Sequence, residues 1–264
     1  MKLGIIGAGN LGKAIISALK EENIQIKASS LHPQQYEGIS IITDNKSIAK
    51  ASDIIILAVK PKDIPRVIGE IKEESRNKLV LSFAAGITLE FLESRLNSRI
   101  ARVMTNLAVK KKKGISVYKT GKSCNHQDKA IIEGILSRLG KCIEVKEEKI
   151  IDTATAVSGS GLAYFIEIIS IFIASTESYT NNKELSRLLV LETIKGATAL
   201  IEESPGDYKE IITSIASKGG TTEEGLKAMK AKGLSQIIKC VLDKTIDKCR
   251  KIGAESTKQE LIKQ

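Results

Sequence analysis

The sequence predicts an α/β fold: an N-terminal domain built on a mostly parallel sheet, followed by an all-α C-terminal domain. Three observations predict it. Up to residue 145, short runs rich in Ile, Leu and Val alternate with amphipathic stretches. From residue 151 onward only the helical period recurs. Between these textures lies the charged segment Lys146-Glu147-Glu148-Lys149, which divides the chain into residues 1–148 and 149–264. A length of 264 residues also favours two domains over one.

Residues 3–6 read as a buried strand, and 12–20 as a helix with Ala14, Ile15 and Ala18 on one face. Strands at 25–28, 53–59, 78–83 and 100–104 follow, with helices at 47–51, 65–74 and 89–96. Lys110-Lys111-Lys112-Lys113 reads as a solvated loop before a strand at 114–118. One more helix and strand run from 129 to 145. In the second half, 162–174 is apolar on nearly all sides and reads as a fully buried helix. Helices at 184–203, stopped by Pro205-Gly206, and at 207–217, 221–230 and 234–251 complete the chain. A small helical domain covers 162–174 poorly on its own, so a homodimer with interleaved C-terminal halves is expected.

Hydrophobic residues make up 42% of the chain but aromatics only 3%, with no Trp, so the cores must be aliphatic. The apolar start meets a glycine loop after six residues, unlike a signal peptide. The stretch 162–174, interrupted by Glu167, is too short to span a bilayer, so a cytoplasmic protein with no membrane partner is expected. Four cysteines without C-x-x-C spacing, and only two histidines, read as reduced packing thiols with no metal site. The net charge of +10 is scattered along presumed helix faces, and no aromatic platform adjoins the lysine run, so no nucleic-acid partner is expected.

Gly7-Ala8-Gly9-Asn10-Leu11-Gly12 follows the first strand and opens the first helix. Gly7 suits a tight turn, Gly9 a close approach to a pyrophosphate, and Gly12 close helix–strand packing. The helix start then offers free N–H groups to phosphates. Set in an alternating pattern, the loop marks a Rossmann dinucleotide-binding domain. An NAD enzyme usually has Asp or Glu after the second strand. This chain has Lys27, Ser29, Ser30 and His32, which suit a 2′-phosphate, so NADPH is expected, with NADH as the alternative.

Three later segments end parallel strands, where such sheets bind ligands: Ala58-Val59-Lys60-Pro61, Ser82-Phe83-Ala84-Ala85-Gly86 and Arg102-Val103-Met104-Thr105-Asn106. The helical half supplies Ser158-Gly159-Ser160-Gly161-Leu162-Ala163-Tyr164 and Ser217-Lys218-Gly219-Gly220-Thr221-Thr222. Taken in order over nearly the whole chain, these segments resemble the pyrroline-5-carboxylate reductase family, enzymes of the last step of proline synthesis. The resemblance implies a helical dimerisation domain, a dimer sometimes assembled into a ring of dimers, and reduction of 1-pyrroline-5-carboxylate to L-proline by NAD(P)H. It implies cofactor contacts at Ile6, Gly7, Ala8, Gly9, Asn10, Leu11, Ser29, Ser30, Asn45, Ala58, Val59, Lys60 and Pro61, with Ala84 and Ala85 lining the nicotinamide. It points the Thr222 hydroxyl at the substrate nitrogen as the catalytic group. The chain departs from the family pattern at Lys218 and Leu162, where Pro is usual, at Ser214, where Asn is frequent, and near Ser30, where an Arg is frequent.

A protonated imine is already electrophilic, so its reduction needs positioning more than a strong acid. The carboxylate of such a substrate needs converging N–H donors, which Ser217, Gly219, Gly220 and Thr221 can form before a helix. Thr221 and Glu224 also read as a capping box. Two other readings stand beside this one. The chain reduces another small imine or a 3-hydroxy acid, with Lys195 as the acid. Or it binds NADP, or associates with nucleic acid, without catalysis.

Overall fold

A computed structural model describes residues 1–204, 206 and 208–261. The predicted stop at Pro205 and the predicted helix start at residue 207 lie outside the described residues. Contacts divide the chain into two units, 1–162 together with the segment from Lys244 onward, and Ala163–Asp243.

The first unit holds a nine-stranded sheet. Its strands are β1 (Lys2–Ile6), β2 (Gln25–Ser29), β3 (Gln34–Tyr36), β4 (Ile39–Ile42), β5 (Ile54–Leu57), β6 (Leu79–Ser82), β7 (Arg99–Met104), β8 (Gly114–Thr120) and β9 (Gly140–Glu144). Their order across the sheet is β3-β4-β2-β1-β5-β6-β7-β8-β9. β4, β2, β1, β5, β6 and β7 run parallel; β3 is antiparallel to β4, and β8 to β7. β5 and β6 are buried at every position, which explains their aliphatic runs at 54–57 and 79–81.

Helices α1 (Asn10–Leu19), α2 (Asn45–Lys50), α3 (Ile64–Ile71), α4 (Leu89–Glu93) and α5 (His126–Leu136) connect the strands. One core packs Ile15, Leu19, Ile132 and Leu136 on one sheet face. The other packs Val67, Ile68, Ile71 and Leu92 on the opposite face. The β3–β4 hairpin is absent from the sequence reading. Its strands are only three and four residues long, the first, Gln34-Gln35-Tyr36, is polar, and its turn uses Glu37 and Gly38, both at positive φ, rather than Asn-Gly or Asp-Gly.

The helical series continues with α6 (Lys149–Ala154), a π-helical turn at Thr155–Ser160, α7 (Gly161–Thr180), α8 (Lys183–Glu203), α9 (Tyr208–Ile215), α10 (Thr221–Ala231) and α11 (Leu234–Leu261). α6 is pinned to the sheet by Arg102 of β7, which is 2% exposed. Its guanidinium donates to Glu148 at 2.8 Å and Asp152 at 2.7 Å. Glu148 also accepts from the Leu89 amide at the start of α4. Within the same unit, α11 meets the turn after β6 backbone to backbone. A Cβ on Gly86 would lie 2.6 Å from the Cys249 carbonyl oxygen, and one on Gly253 would strike the Gly86 carbonyl.

The helix expected at 162–174 is present but is not covered within the single chain. Phe165, Ile166, Ile171 and Phe172 of α7 are more than half exposed in the single chain. With α6 and the π-turn, α7 forms one continuous helix, Lys149–Thr180, long and apolar enough by length and composition to cross a membrane. The apolar stretch 162–174 is only the centre of this helix.

Candidate functional site

The dinucleotide loop is built by the end of β1 and the start of α1. Gly7 has φ of 102°, and a Cβ there would lie 2.6 Å from both the Val59 side chain and its amide nitrogen. A Cβ on Gly12 would collide with the Gly7 carbonyl oxygen. Both glycines are therefore required by the fold itself. Gly9 is different: a Cβ there would meet nothing within 4 Å. The open space above Gly9 is what a pyrophosphate needs.

The Gly7 and Ala8 amides are both spent on the Ser29 carbonyl, at 3.0 and 2.9 Å. The first-turn amides of α1 remain for an anion, and no side chain caps that helix end. The residues present thus fit a dinucleotide.

Beside this loop lies an open cleft of about 340 Å³. Gly7, Gly9, Ser30, Asn45, Ala58, Val59 and Lys60 line it, all from the predicted contact set. His32, Thr43, Lys62, Asp63 and Arg66 also line it. Lys27, offered from sequence as a nearby charge, is exposed on β2 and is not among the lining residues. Ile6 and Ala8 are buried beneath the loop, and Ser29 is fully buried. The Ser29 hydroxyl donates to Asn45 Oδ1 at 2.6 Å, so it fixes Asn45. Asp44 caps α2 by accepting from the Ser47 amide at 2.9 Å, which sets Asn45 at the first helical position. The Ser47 hydroxyl and amide hold the Asp44 carboxyl below the usual carboxylate range. Asn10 and Leu11 open α1, and Pro61 begins a single 3-10 turn, Pro61–Asp63.

Ala84 is buried at the end of β6, and Ala85 is half-buried against Met104, Val117, Ile151 and Ala154. Asn106 Nδ2 donates to the Ser158 carbonyl at 3.0 Å, holding the π-turn against the end of β7. A Cβ on Gly159 would lie 3.1 Å from Met104 Sδ, so this glycine permits the close approach. π-turns recur at functional sites.

The remaining predicted residues belong to the second unit, between α9 and α10. Gly219 has φ of 74°, and the Gly220 amide donates to the Ser217 carbonyl at 3.0 Å. The predicted capping box is corrected: Gly220 is the N-cap, it has no side-chain cap, and Thr221 is the first helical residue. Glu223 reaches back instead and accepts from the Gly219 amide. The hydroxyls of Thr221 and Thr222 are on exposed residues. Lys195, the acid of the 3-hydroxy acid reading, is paired with Glu192 on the exposed face of α8.

A family model described as pyrroline-5-carboxylate reductase dimerisation matches residues 148–252, and one described as NADP oxidoreductase, coenzyme F420-dependent, matches residues 2–86. The pyrroline-5-carboxylate reductase of Methanosarcina acetivorans is 31% identical, with 96% of this chain and 98% of the relative aligned. That of Vibrio alginolyticus is 32% identical, with 90% and 92% aligned. The crystal structure of Plasmodium falciparum pyrroline carboxylate reductase with NADP bound has a TM-score of 0.91 at 28% identity, covering 96% of this chain and 98% of that one. With a β1–α1 glycine loop open to an anion and relatives aligned over nearly its full length, the chain belongs to the pyrroline-5-carboxylate reductase family.

Proposed function

We propose that this chain reduces 1-pyrroline-5-carboxylate to L-proline, with NADPH preferred over NADH. The observation that carries the cofactor half of this reading is Gly9, a glycine that no protein atom demands. Family membership carries the substrate half. When bound, the dinucleotide supplies the hydride. The chain itself has to orient and hold. Ala84 and Ala85 offer small walls at the end of β6, where a nicotinamide lies in this fold. The 217–222 turn offers main-chain amides to the substrate carboxylate. Thr222 bonds the ring nitrogen and relays its proton through water.

We place the functional division at residues 1–148 for the cofactor and 149–264 for the substrate and assembly. The exposed Phe165, Ile166, Ile171 and Phe172 support a homodimer, because burial of such side chains stabilises by roughly 1.5–3 kcal/mol each. A second copy of the chain covers them better than lipid does, since the dimerisation model spans this helix. A ring of dimers and a cytoplasmic location belong to the same reading.

The test is optical: NADPH consumption with 1-pyrroline-5-carboxylate, repeated with NADH and with 3-hydroxyisobutyrate. Turnover of the imine alone is expected, faster with NADPH. Thr222→Ala is expected to lose at least about tenfold in kcat while NADPH binding is retained, the scale of one lost proton-relay contact. Unchanged turnover in that variant would end the assigned role.

A further inference from the structure

The cleft beside the dinucleotide loop contains a guanidinium that motif reading passes over. Arg66 lies on α3 and lines the cleft together with Ser30 and His32 of the segment after β2. It pairs with Glu70 Oε1 one turn further along. The other oxygen of Glu70 accepts from Asn45 Nδ2 at 2.6 Å, and Asn45 Oδ1 accepts from the Ser29 hydroxyl at 2.6 Å. A continuous line of bonds therefore runs from Arg66 to the end of β2. That end of the strand faces the ribose hydroxyls in this fold.

We infer that Arg66 is the residue that selects a 2′-phosphorylated dinucleotide, by turning its guanidinium from Glu70 to the 2′-phosphate. The inference rests on the dinucleotide reading above and adds a residue to it. Three features of the cleft support it. The segment Ser30-Leu31-His32 contains no Asp or Glu to hold a free ribose diol and no Lys or Arg to hold a phosphate. The lining residues include three fixed cations, Lys60, Lys62 and Arg66, against the single carboxylate Asp63, so the wall favours an added negative charge. Of those three, Arg66 is the one joined through Glu70 to the β2 side. A planar guanidinium also grips phosphate with two parallel bonds, where an ammonium acts as a point charge. The Arg66–Glu70 pair is half-exposed, with side chains 46% and 37% accessible. Such a pair is weak enough to exchange for a phosphate dianion.

The experiment compares two nucleotides that differ only in the phosphate in question. Calorimetric titration of the intact chain with 2′,5′-ADP and with 5′-AMP measures recognition without turnover. Wild type is expected to bind 2′,5′-ADP more tightly. Arg66→Ala is expected to raise the 2′,5′-ADP dissociation constant by about tenfold or more, the scale of a lost charge-assisted bond, and to leave 5′-AMP within about twofold. Arg66→Lys should keep part of the discrimination, and the NADPH-to-NADH ratio of kcat/KM should fall in parallel in both variants.

Equal weakening for both nucleotides would overturn the inference, since it would mean that Arg66 packs on the adenine. So would loss of discrimination in Lys62→Ala with Arg66→Ala unaffected. A wild-type chain that binds neither nucleotide would instead defeat the underlying dinucleotide reading. Activity with NADH that survives Arg66→Ala separates the two failures.

Discussion

Three glycines in one loop are glycine for different reasons, and the reasons predict different mutant behaviour. Gly9→Leu enters open space, so the fold should stand while NADPH binding falls by at least about tenfold. Gly12→Ala strikes the Gly7 carbonyl and should lower stability by about 1–3 kcal/mol, the cost of an overpacked contact. Thermal unfolding and NADPH fluorescence titration, run on both variants, separate the two effects. Roles of this kind were legible in the sequence because strand, turn and helix are contiguous there. The role of Arg66 was not, because it depends on where α3 lies across from β2. The cap of α10 was misplaced by one residue: Thr221 and Glu224 match the capping pattern, but Gly220 takes the cap and Glu223 turns back to the Gly219 amide. That carboxylate occupies a donor proposed for the substrate's own carboxylate. Glu223→Gln should therefore lower KM for 1-pyrroline-5-carboxylate with kcat little changed, and a raised KM in steady-state kinetics would count against competition for the amide.

Of the α-helices that line the cleft, α2 is the shortest, and Asp44 alone caps it with a side chain. The folded Asp44 pKa lies below its unfolded value, first through the Ser47 hydroxyl and then through the Ser47 amide. The sign follows directly. Asp44 contributes stability in full above the ordinary carboxylate range and loses it as pH falls through the lowered folded value. Asp44→Ala should thus lower Tm at neutral pH, and the gap from wild type should close on acidification, as calorimetry across pH can check. The same variant should weaken NADPH binding, because Asn45 follows the cap directly. The central parallel strands β1, β5 and β6 could be read from the sequence because burial leaves near-continuous aliphatic runs. The hairpin β3–β4 could not, since its Gln34-Gln35-Tyr36 strand shows no apolar alternation.

Across the whole molecule, the two textures matched the fold class, a mostly parallel sheet followed by helices. The sequence apolarity of α7 reports what the helix needs covered, and its exposure in the single chain leaves that cover to another molecule. Phe172→Glu should shift the assembly toward monomer in light scattering at micromolar concentration, with the sheet domain still folded by circular dichroism. A wild-type chain already monomeric there would remove the need for a second copy. The crossing of Gly86 and Gly253 has a further consequence for anyone who trims or extends the C-terminus. Bare main chain meets bare main chain, so that helix has no cushion to absorb a misfit and is either seated or released. Shortening the protein ahead of residue 253 would strip the support from the very bend that carries Ala84 and Ala85, and harm would arise far in sequence from the residues proposed to line the nicotinamide.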